Sequence, residues 1–237
     1  MALNQQDNQA VYVLHTYPFK ETSLLVELFT QTYGRVTTVA KGARRPRSAM
    51  RGMLQTFQKL SATWSGKAEL KNLHSLEWAD SLVDLPGESL MCGFYLNELL
   101  LRLLPREDPH EQLFAYYQDT IKALSQAADT ATVLRCFELN LLQELGYAVP
   151  LTADENGEVI DADRQYRYEA EYGACELSAT KNGVQLQGQT LLDMARGDYS
   201  AVQTQAQSKQ LMRYLLTHYL GDKPLHTRQL LMDLQEL

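Results

Sequence analysis

Six basic side chains cluster between residues 35 and 51: Arg35, Lys41, Arg44, Arg45, Arg47 and Arg51. No Asp or Glu occurs between Glu27 and Glu69, although the whole chain carries a formal charge of -7. Clustered like charges repel one another, so a fold retains them most readily where a polyanion or an acidic partner compensates them. The chemistry that this cluster offers is therefore the binding of phosphates or carboxylates.

No catalytic motif accompanies the basic cluster. The sequence contains no nucleophile elbow, phosphate-binding glycine loop, HExxH or paired metal-ligand motif. Glu98 and Glu138 fall within apolar helical patterns, where carboxylates most often cap helices or pair inside a bundle. We therefore predict a binding protein and not an enzyme.

The cysteines and histidines do not indicate a metal site. The three cysteines lack the CxxC pairs that structural zinc sites typically use. The five histidines are scattered along the chain and are not spaced as ligands. We expect neither a structural metal nor a cofactor.

Charge and hydropathy narrow the class of protein further. Residues 1–80 carry ten Lys or Arg against six Asp or Glu, a net charge of +4, and the remainder carries twelve against twenty-three, or -11. The first ten residues lack the basic and apolar regions of a signal peptide, and no apolar run is long enough to span a bilayer. These features predict a cytoplasmic protein without a membrane segment.

The first eighty residues predict a small β-barrel. Runs rich in β-branched and aromatic residues cover about 11–17, 23–30 and 35–43, and two longer runs end near Trp64 and Trp78. Five closely spaced strands favour closure, because a barrel hides the edges that a short sheet exposes. We predict an OB-fold, with the basic cluster at the end of the third strand and in the loop after it. Gly42 and Pro46 argue against a regular element in that loop, and Pro46 should hold it extended.

Beyond Pro86 the apolar residues follow helical spacing. Three helices are expected: one carrying Leu96 to Leu104, one capped by Asp108, and one running from about Leu134 to Leu145. Residues 151–197 are acidic and predict loops and small hairpins, whereas helix returns near 211–219 and after Thr227. The predicted fold class is α+β, with an OB-fold domain in 1–80 and an α-helical domain in 81–237 that includes an irregular insertion near 151–197.

Five segments, in order along almost the whole chain, resemble the RecO family of bacterial DNA repair proteins. They read VLHTYPFKETSLLVELFT, GRVTTVAKGARRPRS, FYLNELLLRLLPRED, RCFELNLLQELGY and YLGDKPLHTRQLL. The resemblance implies an N-terminal OB-fold and a recombination mediator that binds single- and double-stranded DNA and anneals complementary strands. It also implies two partners: the acidic C-terminal tail of single-stranded DNA-binding protein, and RecR, with which the mediator lets RecA load. Such a protein would work in the cytoplasm on the nucleoid.

This chain departs from the family in one respect. Many members carry a four-cysteine zinc module after the third helix, whereas only Cys175 lies in the corresponding stretch here. The departure supports the expectation that no structural metal is bound.

The basic cluster and one helix arginine are the candidate sites. An OB-fold combines a cationic groove with aromatic stacking platforms, so all six basic residues are candidate phosphate ligands, led by Arg44, Arg45 and Arg47. Arg35 begins a strand, so it could pair with a neighbouring side chain instead of binding a phosphate. Phe19, Tyr33 and Phe57 could stack on bases, but an aromatic side chain in a small barrel more often lies in the core, so the three are left out of the candidate site. Arg135 matches the motif around the tail-binding arginine of the family, although by sequence alone it is simply an exposed helix residue.

Two other functions stay open at this point. An OB-fold RNA-binding accessory factor would show a similar barrel, and a protein-only adaptor would use the basic loop to dock an acidic partner.

Overall fold

The computed structural model describes residues 5–126, 128–147, 149–177, 183–221 and 224–227. The first part of the chain forms β1 (Gln5–Phe19), β2 (Ser23–Thr30), β3 (Gly34–Ala40), α1 (Ala49–Met53), β4 (Lys59–Ser65), β5 (Leu70–Trp78), α2 (Glu88–Leu103) and α3 (Glu111–Ser125). The second part forms α4 (Thr130–Glu144), β6 (Gln165–Glu169), β7 (Gly173–Cys175), β8 (Val184–Gln187), α5 (Gly188–Arg196) and α6 (Val202–Leu220). The fold is α+β, as the sequence predicts.

The described chain divides into two compact units. The first comprises residues 5–126 and 225–227, and the second comprises the described residues between 128 and 224. This division places α2 and α3 with the barrel, so the compact units do not follow the expected boundary at residue 80. That boundary stays a prediction about domains.

The five N-terminal strands close into a barrel in the order β1-β2-β3-β5-β4. β1 is long enough to pair with both β2 and β4, and a parallel pairing of β3 with β5 completes the ring. Alternate side chains point inward and form an apolar core that includes Val11, Val26, Val36 and Trp64. The predicted OB-fold barrel is confirmed.

The outer face of the barrel carries its own apolar layer. The rings of Tyr12 and Phe29 pack against Phe114 and Tyr117 of α3, with centroids 5.0 to 5.9 Å apart. Asn97 of α2 donates to the backbone carbonyl of Leu14 at 2.9 Å and accepts from the Tyr117 hydroxyl at 2.6 Å. These buried contacts tie both helices to β1.

The chain after α2 returns to the edge of β3. The backbone amide of Glu107 donates to the carbonyl of Arg35 at 2.9 Å. Gly34 has φ +64°, and a Cβ there would lie 1.9 Å from the carbonyl oxygen of Asp108. Only glycine therefore permits this close approach.

The structure corrects the expectation for the start of the second helix. α3 begins at Glu111 after His110, and no side chain of the described residues caps its amides, so Asp108 is not the N-cap. Asp108 instead belongs to the segment that lies against Gly34. The contact with the barrel displaces the helix start from the position that local sequence favours.

Other elements also differ from the sequence prediction. In the region expected to form loops and small hairpins, β6 and β7 form such a hairpin, and β8 pairs with β6 to give a three-stranded sheet in the order β7-β6-β8. α5 follows directly, and the sequence did not predict it. α4 matches its predicted helix, whereas α6 includes the predicted stretch near 211–219 but begins earlier, at Val202. The last predicted helix lies outside the described residues.

Candidate nucleic-acid interface

The loop after β3, residues 41–51, is held by turns and not in the extended form that Pro46 suggested. Successive backbone bonds join Ala43 to Ala40, Arg45 to Gly42, and Ser48 to Arg45. The short helix α1, at the end of this loop, also corrects the expectation that no regular element forms here. We call residues 41–51 the basic loop.

Apolar side chains fix the basic loop to the barrel. Ala43 is fully buried in the barrel core, and Met50, Met53 and Leu54 pack against that core while partly exposed. The loop is therefore anchored at its start and just beyond its end. Its polar side chains have to face outward.

The basic loop presents five cations to solvent: Lys41, Arg44, Arg45, Arg47 and Arg51. Among the described residues, no carboxylate forms an ion pair with any of them. Five uncompensated charges on an anchored loop create a positive potential that attracts a polyanion. The structure thus brings together five of the six predicted phosphate ligands.

Arg44 links the basic loop to the turn between β1 and β2. Its backbone amide donates to the Thr22 carbonyl at 2.9 Å, and its guanidinium donates to the carbonyls of Lys20 and Glu21 at 3.4 and 3.3 Å. Carbonyl oxygens position the guanidinium without neutralising its charge, and the remaining N–H donors stay available. A preorganised cation of this kind suits phosphate binding.

Gly42 and Arg45 shape the tip of the basic loop. Gly42 has φ +70°, and the side chain of Arg45 passes 3.6 Å from the position that a Cβ on Gly42 would take. Arg47 stays exposed after Pro46. The two arginines therefore lie on either side of a rigid proline.

Arg35 is placed apart from the basic loop and is internally paired. Its Nε donates to the Leu104 carbonyl at 3.0 Å, and its Nη1 lies 3.3 Å from Oε2 of Glu27, whose side chain is only 6% exposed. Glu27 also accepts from Thr37 and Arg106. The structure thus shows Arg35 paired with a neighbouring side chain. We therefore leave Arg35 out of the interface proposed below.

Sequence reasoning missed Lys20 as a further cation of this surface. Lys20 is exposed in the β1–β2 turn, and its carbonyl accepts from Arg44. The predicted order of the first three strands could have indicated that Lys20 lies near the basic loop. In an antiparallel meander the β1–β2 turn and the end of β3 lie at the same end of the sheet.

Arg135 lies on α4 in the second unit and is not the free cation that the sequence suggested. Its Nη2 pairs with Oε1 of Glu138 at 2.7 Å, and the two side chains are 15% and 0% exposed. A buried carboxylate needs such a partner, so Arg135 has a structural role whatever else it binds.

A cavity of about 480 Å³ lies beside α4. Its lining includes Leu139, Val149, Leu151, Met194, Arg196 and Tyr199. Burial raises the pKa of the Tyr199 hydroxyl, Cys136 and Glu138 raise it further, and Arg135 opposes them. Among the described residues, the Tyr199 hydroxyl has no hydrogen-bond partner. The cavity therefore combines apolar walls with a cation and a buried polar group.

No cluster of three or more His, Cys, Asp or Glu side chains within the described residues could hold a metal ion. No helix in the described part of the chain is long and apolar enough to cross a membrane. The prediction that no metal is bound stays a prediction.

Comparison with known proteins assigns the family. The model for the N-terminal part of recombination protein O matches residues 4–82, and the model for its C-terminal part matches residues 86–229. The chain belongs to the recombination protein O family. The family resemblance seen in the five sequence segments is therefore confirmed.

Members of the recombination protein O family match over nearly the full chain. A protein of Nitrosospira multiformis named DNA repair protein RecO is 54% identical, with 98% of each chain covered. Proteins with the same name from an Azoarcus species and from Aromatoleum aromaticum are 49% and 50% identical, over 100% and 98% of this chain and 100% and 97% of theirs.

Proposed function

We propose that this protein is a DNA-binding recombination mediator in DNA repair. It binds single- and double-stranded DNA, anneals complementary single strands and, with RecR, helps RecA load onto DNA coated by single-stranded DNA-binding protein. The observation that carries the proposal is the anchored basic loop on an OB-fold barrel, in a chain of the recombination protein O family. The relatives named DNA repair protein RecO support the same role. A protein with this role acts in the cytoplasm, on the nucleoid.

Annealing requires no bond chemistry from the protein. Two polyanions approach only when cations screen their repulsion, and the contacts must be weak enough for the strands to test their register. Exposed arginines on one loop supply charge without reading sequence, because every nucleotide carries a phosphate. The basic loop therefore suits strand pairing, and we propose no enzymatic activity.

The acidic tail of single-stranded DNA-binding protein is assigned to the cavity beside α4. An acidic tail that ends in Phe needs an apolar pocket for its ring and cations for its carboxylates. Leu139 and Leu151 supply apolar walls, Arg196 supplies an exposed cation at the rim, and Arg135 supplies charge nearby. The Tyr199 hydroxyl offers a further donor.

A tail-peptide titration tests this assignment. Arg135→Ala is an ambiguous variant because it leaves the buried charge of Glu138 without its ion pair, which costs about 3–5 kcal/mol. Arg196→Ala removes only an exposed cation and should weaken the tail peptide several-fold. Arg135→Lys keeps a cation beside Glu138 and should also weaken binding, because lysine lacks the planar fork of arginine. Wild-type affinity in both variants would remove the assignment.

An OB-fold RNA-binding accessory factor is the alternative function. The two functions differ in the preferred polymer, so affinities for single-stranded DNA, duplex DNA and structured RNA should be compared at one salt concentration. Preference for DNA together with strand annealing supports the mediator. Preference for structured RNA without annealing supports the alternative.

A further inference from the structure

The outer edge of β1 carries exposed aromatic side chains next to the basic loop. Tyr17 is 44% exposed, and its ring centroid lies 4.4 Å from that of His15, which is also exposed. Phe19 follows on the same face, with Nζ of Lys20 5.4 Å from its ring centroid. We call His15 and Tyr17 the aromatic pair.

An irregularity in β1 turns the aromatic pair outward. Val13 is opposite Leu28 and faces the core, but the register shifts so that His15 is opposite Glu27. Leu14 is the extra residue, as in a β-bulge. In a regular strand, with Leu14 paired and no bulge, His15 and Tyr17 would continue the inward positions of Val11 and Val13.

The same register shift explains why the aromatic pair does not pack in the barrel core. Thr16 pairs with Val26, which belongs to the barrel core, whereas Tyr17 pairs with the partly exposed Leu25. A lone surface tyrosine would need no explanation. Two rings in contact, turned outward by a bulge, form a patch with a defined orientation.

Ordered contacts connect the aromatic edge to the basic loop. The turn that follows Phe19 supplies three carbonyls to Arg44, through its backbone amide and its guanidinium. These hydrogen bonds hold Arg44 beside the turn in which the aromatic edge ends. Charge and aromatic surface side by side are what a single-stranded nucleic acid requires.

We propose that His15 and Tyr17 form a base-stacking platform for single-stranded DNA, continuous with phosphate contacts on the basic loop. This proposal rests on the proposed function, to which it adds the residues that contact the bases of the bound strand. Unpaired bases expose their π-faces to the tyrosine and histidine rings, whereas the bases of a duplex are already stacked on their neighbours. The platform therefore favours single strands over duplexes, and the arginines of the loop do not.

The test measures the affinity of fluorescein-labelled oligo-dT and of a duplex for wild-type protein, Tyr17→Leu and Tyr17→Phe. Tyr17→Leu keeps an apolar side chain but removes the π-face, and we expect it to weaken single-strand binding about five- to tenfold. Duplex affinity should change by less than about twofold, because the phosphate contacts remain. Tyr17→Phe keeps the ring and should bind both ligands as wild type does. Tyr172→Leu, at a 59% exposed tyrosine of the second unit, is the matched control and should bind as wild type does.

The salt dependence separates this proposal from the proposed function. Tyr17→Leu should leave the slope of log affinity against log salt unchanged, whereas Arg44→Ala/Arg45→Ala/Arg47→Ala should flatten it. If Tyr17→Leu binds single strands as wild type does while the arginine variant binds them more weakly, the stacking platform is overturned and the proposed function is not. An arginine variant with unchanged binding overturns the proposed function. Equal losses for single strands and duplexes in Tyr17→Leu would show a structural defect and also overturn the platform.

Discussion

Removal of three arginines from the basic loop has a calculable effect on the salt dependence of DNA binding. Arg44, Arg45 and Arg47 are exposed, and no carboxylate among the described residues pairs with them, so each is available to neutralise one phosphate. Arg35 is excluded from the calculation because Glu27 already compensates its charge. The perturbation is the variant Arg44→Ala/Arg45→Ala/Arg47→Ala.

The expected magnitude follows from counterion release. Each phosphate contact on a single strand contributes about 0.7 to the slope of log affinity against log salt, so three lost contacts flatten it by about 2.1. Between about 50 and about 200 mM salt, a slope difference of about 2.1 corresponds to about a 20-fold difference in the loss of affinity. Wild-type binding should therefore fall about 20-fold further than that of the variant over this range.

Fluorescence anisotropy of a labelled oligo-dT at four or more salt concentrations measures both slopes. The matched control is Lys122→Ala/Lys209→Ala/Arg213→Ala, which removes three exposed cations from α3 and α6 and lowers the net charge equally. The control should keep the wild-type slope. An unchanged slope in the basic-loop variant, or an equal flattening in the control, would refute the assignment of the phosphate contacts to the loop.

Two further predictions concern the frame that holds the interface. Gly34→Ala should lower the free energy of unfolding, measured in urea, by at least about 2 kcal/mol, because it combines a left-handed φ with a clash against Asp108. Gly146 has φ +79°, and apart from its chain neighbours no atom of the described residues lies within 4 Å of the position that a Cβ would take, so Gly146→Ala should show the smaller cost of the φ alone. Equal costs for the two variants would contradict this. Burial by itself raises the pKa of Glu98, but hydrogen bonds from Thr227 and His226 outweigh it and hold that pKa below its usual value. A lowered carboxyl pKa stabilises the fold above the unfolded-state pKa and loses this effect as the pH falls through the folded-state value. The stability difference between wild type and Glu98→Gln should therefore shrink from about pH 7 to about pH 3, and a difference that grows on acidification would contradict the assignment.

The barrel and the main helices could be predicted because their signals are local. Alternating apolar residues such as Val11 and Val13 define a strand face, and Leu96, Leu99 and Leu100 define a helix face that the structure shows fully buried. The end of β3 and the basic loop after it follow from the strand order. Five of the six basic residues indeed share that loop.

The remaining features depend on contacts between distant segments. The pairing of Arg35 with Glu27 requires the register of β2 against β3, and the displaced start of α3 requires the contact between Gly34 and Asp108. Tyr17 faces outward because β1 contains one extra residue at the bulge, and no local sequence pattern predicts that bulge. For the same reason, the sequence suggested a free Arg135 where the structure shows a pair with Glu138.

Strand annealing is the most direct measurement of the central claim, that the basic loop lets this protein bring DNA strands together. Two complementary labelled strands are mixed, bare or precoated with single-stranded DNA-binding protein with and without its acidic tail, and duplex formation is followed by fluorescence. We predict that the wild-type protein accelerates annealing of bare strands and of strands coated with the intact protein. The basic-loop variant should lose both activities, and deletion of the tail should abolish only the second. No acceleration by wild type, or full acceleration by the basic-loop variant, would contradict the account.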